Sequence, residues 1–143
     1  MAKVIRSKEL AVSVERLVAV ILDFESYPEF LSGVVSARRE QSSNGKPVVT
    51  FELEIIKRFE YTLEFNITGV EEIAWKLVKS NFFKKNDGRW LLKRMGQNRT
   101  HASYELDLAF GFLVPGWVAK TLTEVNLPKM FDQFEARALE VRE

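Results

Sequence analysis

The 143 residues suit one folding unit, and 46% hydrophobic residues with 11 Phe among them supply enough bulk for a core or a lined pocket. The 21 basic and 20 acidic residues leave a formal net charge of +1, which excludes the strongly basic footprint of a DNA-binding domain. With no Cys and a single His, disulfides, thiolate chemistry and Cys-based metal sites are excluded and a His-rich zinc or iron site is disfavoured, so no metal and no cofactor is expected.

The opening MAKVIRSKEL is charged and lacks the apolar stretch of a signal peptide, and no apolar run approaches the ~18 residues of a transmembrane helix. A cytoplasmic protein is expected, with peripheral contact to the inner face of a membrane as an option. Residues 3–12 alternate weakly and read as a strand. Ser13 offers an N-cap, with Arg16 where a capping box would place Glu. Leu17, Val18, Val20, Ile21 and Phe24 recur at helical spacing and predict a helix over 14–24. Tyr27-Pro28 ends it, because the residue before Pro is pushed out of the helical region. Pro28 then opens a short second helical turn through Phe30 and Leu31, stopped by Gly33.

Beyond Gly33 the period becomes two. Residues 34–40 form a strand, and Ser42-Ser43-Asn44-Gly45 signals a hairpin. Val49, Phe51, Leu53 and Ile55 alternate with polar residues, a turn falls near Lys57-Arg58, and Tyr61, Leu63, Phe65 and Ile67 resume the pattern. After Gly69 come Ile73, Trp75 and Leu77. Asn86-Asp87-Gly88 reads as another tight turn or as a bulge within a long hairpin, followed by Trp90 and Leu92. Thr100, Ala102, Tyr104, Leu106, Leu108 and Phe110 form the last alternating set. One apolar and one charged face per strand marks an antiparallel sheet covered on one side, and the lack of crossover helices excludes a doubly wound sheet.

The cover comes last. Pro115-Gly116 precedes a helical stripe containing Trp117, Val118, Leu122, Val125, Met130, Phe131, Phe134, Ala138 and Leu139. Pro128 in its middle predicts a bend near Asn126, or two helical pieces meeting there. The expected fold class is α+β, with a curved antiparallel sheet of about six to seven strands wrapped around a long C-terminal helix, two short helices after strand 1, and residues 1–143 in one domain.

A strongly twisted sheet curls, and a long cover touches it well along only part of its length. The gap is filled by large side chains or left as an apolar cavity that accepts an apolar guest. Inward parity assigns the candidate ligand contacts to Phe51, Leu53, Tyr61, Leu63, Phe65, Trp75, Leu77, Trp90, Leu92, Tyr104 and Leu106 on strands, and to Trp117, Thr121 and Val125 on the helix. For any single ring, core packing is the default. Tyr27, Phe30 and Leu31, together with Phe112 and Leu113 of the loop 111–116, form either a plug at one end of the sheet or a hinged gate over the mouth.

The stretch Asp23-Phe24-Glu25-Ser26-Tyr27-Pro28-Glu29-Phe30-Leu31, the Gly88-x-Trp90 pair with a later Thr100, and the ending Met130-Phe131-Asp132-Gln133-Phe134-Glu135-Ala136-Arg137-Ala138 resemble the polyketide cyclase/START-like (SRPBCC, Bet v 1-like) superfamily. They are most similar to its coenzyme Q-binding COQ10/RatA-type branch, which includes a bacterial ribosome-association toxin. The resemblance implies a helix-grip fold, a hydrophobic tunnel, and quinone, lipid, sterol or polyketide ligands. It implies no fixed catalytic set. Ser80-Asn81-Phe82-Phe83-Lys84-Lys85 departs from it, being basic and polar where a carrier would show an apolar lip.

Three functions stand as expectations. The first is a non-enzymatic binding protein or carrier for a small hydrophobic molecule that is quinone-, lipid- or polyketide-like. The second is a cyclase/dehydrase (aromatase) type enzyme, for which Tyr61, Tyr104, Arg94, Thr100 and Thr121 are the inward polar candidates, with no residue assigned a catalytic role. The third is a ribosome-interacting protein using the basic concentration Lys84, Lys85, Arg89, Lys93 and Arg94, which otherwise reads as a solvated hairpin or a patch for anionic lipid. Phe82-Phe83 beside it is either strand core or a membrane contact, and His101 shares the polar parity of a solvated strand face.

Overall fold

The structure is a computed structural model that describes residues 2–42, 44–55 and 57–140, so Ser43 of the expected hairpin and the side chain of Ile55 lie outside the described residues. The strands are β1 (Ala2–Leu10), β2 (Val34–Glu40), β3 (Val48–Ile55), β4 (Lys57–Thr68), β5 (Glu72–Ser80), β6 (Phe83–Gly96) and β7 (Arg99–Phe110). The α-helices are α1 (Val14–Leu22), α2 (Gly116–Thr121) and α3 (Leu127–Glu140), with a 3-10 helix at Phe24–Glu29 and a π-helix at Leu122–Asn126. One antiparallel sheet runs in the order β1-β7-β6-β5-β4-β3-β2, so the N-terminal strand closes against the last one while the rest is a meander. This is the α+β helix-grip arrangement. On β3 to β7 the apolar parity carries the core residues, among them Phe51, Leu63, Trp75, Trp90 and Leu106, while on β1 the same parity also carries Lys8, which pairs with Asp132 of α3.

Ser13 caps α1 by accepting from the Arg16 amide, as its position predicts. The helix stops at Leu22 rather than at Phe24. The short second helix begins at Phe24 and contains Pro28 instead of starting from it. Ile55 pairs with Lys57, so Lys57-Arg58 already belongs to β4.

The largest departure concerns Asn86-Asp87-Gly88. The chain turns earlier, at Asn81-Phe82, where the Ser80 hydroxyl accepts from the amides of Phe82 and Phe83. Asn86-Asp87-Gly88 runs extended within β6, pairing with Leu108, Asp107 and Leu106 of β7. Turn residue types are overridden here by side-chain work. The β5–β6 ladder runs only from Glu72/Leu91 to Trp75/Gly88, and beyond it side chains bridge the strands. Trp75 Nε1 donates to Asn86 Oδ1 at 3.1 Å and the Leu77 amide to Asp87 Oδ1 at 3.1 Å. Gly88 is required by space, since a Cβ there would lie 2.6 Å from the Glu105 carbonyl oxygen and 2.7 Å from Trp75 Cζ2.

At the C-terminus the two helical pieces expected around Asn126 join through the π-helix, where the Leu127 amide bonds the Leu122 carbonyl. Pro128 has no N–H and crowds the carbonyl four residues back, and the widened turn relieves both problems.

Candidate functional site

Between the sheet and the C-terminal helices lies an apolar cavity of about 130 Å³. Its walls carry a closed circuit of rings. Tyr27, Phe51, Phe65, Trp75, Tyr104, Trp90, Phe134 and again Tyr27 succeed one another at centroid separations from 5.0 to 6.5 Å. Most of these contacts are edge-on or tilted, the geometry that favours ring quadrupoles. The rings fill much of the interval between sheet and helix but leave a remainder at the centre of the circuit.

Nine residues expected from strand parity line the cavity: Phe51, Leu53, Tyr61, Leu63, Phe65, Trp75, Trp90, Tyr104 and Leu106. Leu77 and Leu92 do not. Leu77 lies half-buried where β5 splays from β6, and Leu92 is buried in the core away from the cavity. The three helical expectations are not among the lining residues. Trp117 and Val125 are 53% and 45% exposed, and Thr121 turns its hydroxyl back to the Trp117 carbonyl. Leu122, Asn126, Leu127, Met130, Gln133 and Phe134 face the cavity instead.

Of the expected gate, Tyr27 and Leu31 line the cavity. Phe30 packs half-buried between the Tyr27 and Phe134 rings, under the Arg137 guanidinium. Phe112 and Leu113 are 86% and 82% exposed and do not line it. The mouth lies along the seam between Ser32-Gly33-Val34 and the helical residues Asn126 and Gln133. Gln133 Nε2 donates to Ser32 Oγ at 2.7 Å, and the Ser32 amide donates to Gln133 Oε1 at 3.4 Å. This polar latch over an apolar interior had only one sequence signal, the polar residues Asn126 and Gln133 interrupting the helical stripe.

The polar groups expected inside separate into two sets. Arg94 is outside, paired with Glu15 of α1 across the surface. Thr100 is buried but spends its hydroxyl on the Val12 carbonyl at 2.9 Å. The tyrosines remain. Tyr27 Oη donates to the Ile21 carbonyl at 2.5 Å, while the hydroxyls of Tyr61 and Tyr104 have no hydrogen-bond partner among the described residues. Burial pushes all three phenols above the ordinary value of 10.0, and for Tyr27 and Tyr104 the neighbouring phenols add to the effect. Asn86, a polar residue missed because its neighbours suggest a turn, is buried on the cavity wall.

The outer surface disposes of the basic hairpin. Lys85 pairs with Asp107 at 2.8 Å, holding that carboxyl below its usual range, and Arg89 bridges Glu72 and Glu105 at 3.0 and 3.2 Å. Phe82, in the turn, and Phe83, at the start of β6, are buried, their rings meeting each other and Phe110, so they belong to the core and do not form an exposed membrane contact. His101 sits on the outer face opposite Glu9 and Lys93. Among the described residues no acidic or His cluster is suited to a metal, and no helix is long and apolar enough to cross a membrane.

Comparison with known proteins places this geometry. A family described as "Polyketide cyclase / dehydrase and lipid transport" matches residues 10–135. The "Ribosome association toxin RatA" of Escherichia coli K12 is 28% identical over 113 residues, which is 77% of this chain and 70% of the toxin. A START superfamily protein from Mycobacterium smegmatis superposes with a TM-score of 0.84 at 22% identity, covering 98% of this chain and 99% of that one. The Zhui aromatase/cyclase from Streptomyces sp. R1128 superposes at 0.83 with 13% identity, covering 96% and 93%. At these identities the structural matches speak for the fold.

Proposed function

Because the chain belongs to the polyketide cyclase / dehydrase and lipid transport family, we propose that residues 1–143 act as one START-like domain that binds a small hydrophobic molecule in this cavity, as a carrier or binding protein. The observation that carries the reading is the ring-walled cavity of about 130 Å³ with a polar latch at its mouth. A cavity of that size accepts a guest about as large as one aromatic ring, whereas drug-sized ligands occupy pockets of roughly 300–1,000 Å³. A quinone headgroup or the end of a lipid fits that scale, and a longer ligand requires the Ser32–Gln133 seam to open.

The lining favours binding over cyclase chemistry. Ser32, Asn86, Asn126, Gln133 and the three tyrosines are its polar members, and neither a carboxylate nor a cation stands among them. General acid–base catalysis works best with a group titrating near the operating pH, and phenols raised by burial are poorly matched to it. Native mass spectrometry of protein purified from cells, followed by solvent extraction, tests the reading. A co-purifying apolar small molecule is the expected result, and a clean apo spectrum with no uptake of quinones or single-ring aromatics overturns it.

The RatA relationship motivates a second reading, contact with ribosomes from the cytoplasm. Lys85, Arg89 and Arg94 are paired with carboxylates, which leaves Lys84 and Lys93 as the cations of that hairpin without an ion pair among the described residues, so such contact would draw on other surfaces as well. The exposed Phe112, Leu113 and Trp117 offer one, for a ribosomal or a membrane partner. Loss of ribosome co-sedimentation on changing Phe112 and Leu113 to Ser is the expected outcome for that surface, and retention removes it.

A further inference from the structure

The direction in which the cavity's hydrogen-bonding groups point adds a chemical specification. The Trp75 indole nitrogen can only donate, so its 3.1 Å contact fixes the Asn86 amide with Oδ1 toward the indole. Asn86 Nδ2, a pure donor, is thereby left without a partner among the described residues, on a side chain only 7% exposed that lines the cavity. Tyr104, 8% exposed, and Tyr61 bring two further unpartnered O–H groups to the same wall. The Trp75 ring touches Tyr104 at 5.3 Å between centroids, which ties the amide and one hydroxyl to a common support. All three donors border the open space of the cavity, where an acceptor that arrives with a guest can meet them.

We propose that the cavity selects neutral guests carrying an accepting oxygen, above all a carbonyl, held by Tyr61, Tyr104 and Asn86, and discriminates against carboxylates. The proposal rests on the ligand-binding reading and names its ligand class. Discrimination against carboxylates comes from the lining, where no Lys, Arg or His is present to compensate a buried negative charge. Ketones, quinones, esters and amides with a compact ring fall in the accepted class. Free fatty acids and aromatic acids fall outside it.

Calorimetric titration of the wild type and of the Tyr61→Phe/Tyr104→Phe variant with acetophenone, ethylbenzene and benzoate at neutral pH tests this. Phe keeps both rings, and circular dichroism with thermal melting verifies the variant's fold. Acetophenone is expected to bind the variant about tenfold more weakly, while ethylbenzene stays within about twofold and benzoate binds the wild type at least about tenfold more weakly than acetophenone. The infrared carbonyl band of bound acetophenone should lie lower in the wild type than in the variant. Unchanged acetophenone affinity together with an unmoved band overturns the proposal, as does benzoate binding as tightly as acetophenone. Ethylbenzene binding in either case leaves the hydrophobic-cavity reading standing, whereas no binding of acetophenone or ethylbenzene removes both.

Discussion

All three tyrosines of the chain, Tyr27, Tyr61 and Tyr104, meet in the cavity, which makes their titration a report on its integrity. Each phenol is raised in the folded state, so above pH 10 the unfolded chain binds fewer protons than the native one. Their contribution to stability is therefore complete below that pH and is lost as pH rises further. Near-ultraviolet tyrosinate absorbance should stay flat through pH 10 and then climb together with loss of circular dichroism, as one transition. Tyr27 also does structural work, and Tyr27→Phe, which strands the Ile21 carbonyl, should cost about 1–2 kcal/mol by urea denaturation. At Gly88 the obstacle is backbone, which yields little. Gly88→Ala should cost about 1–3 kcal/mol and shift tryptophan emission as Trp75 is displaced. Asn86 and Gly88 are where reading residue types misled. Asn-Asp-Gly is a turn in most settings, and here a buried indole needing an acceptor and a ring needing space hold the same residues in a strand.

At the level of elements, two-residue alternation was readable because a strand's parity survives until a bulge intervenes. Nine strand positions reached the cavity on that basis. Helix phase was harder to read: Trp117 and Thr121, before the π-turn, and Val125, within it, miss the cavity, whereas Leu122, Met130 and Phe134 of the same predicted stripe reach it. The sequence signal for that turn was Pro128 alone, which marks a disturbance without giving its direction. The two faces make opposite predictions. Leu122→Ala should cost about 2–5 kcal/mol in chemical denaturation, and Val125→Ala should stay within about 0.5 kcal/mol. Equal costs would mean that the helix is regular and the expected face correct.

For the whole molecule, the relevant quantity is the space left after a seven-stranded sheet closes on its helix. Family membership carries the helix-grip shape, but the remainder depends on how individual rings tilt, and no pattern of residue types encodes that. Val34→Phe at the mouth should leave the melting temperature near or above that of the wild type while abolishing uptake of single-ring guests, measured by calorimetry. The parted strands add a mechanical consequence. From Lys76 onward β5 is held to β4 by its backbone but to β6 by the Asp87 side chain on the Leu77 amide, next to the Trp75–Asn86 side-chain bond at the end of the ladder on the cavity wall. Amides along that edge should exchange with deuterium sooner than those of β7, and a guest should slow them. A sheet stitched there by two side chains can dilate by letting go of single bonds, so the vessel stretches at its wall as well as at its lid.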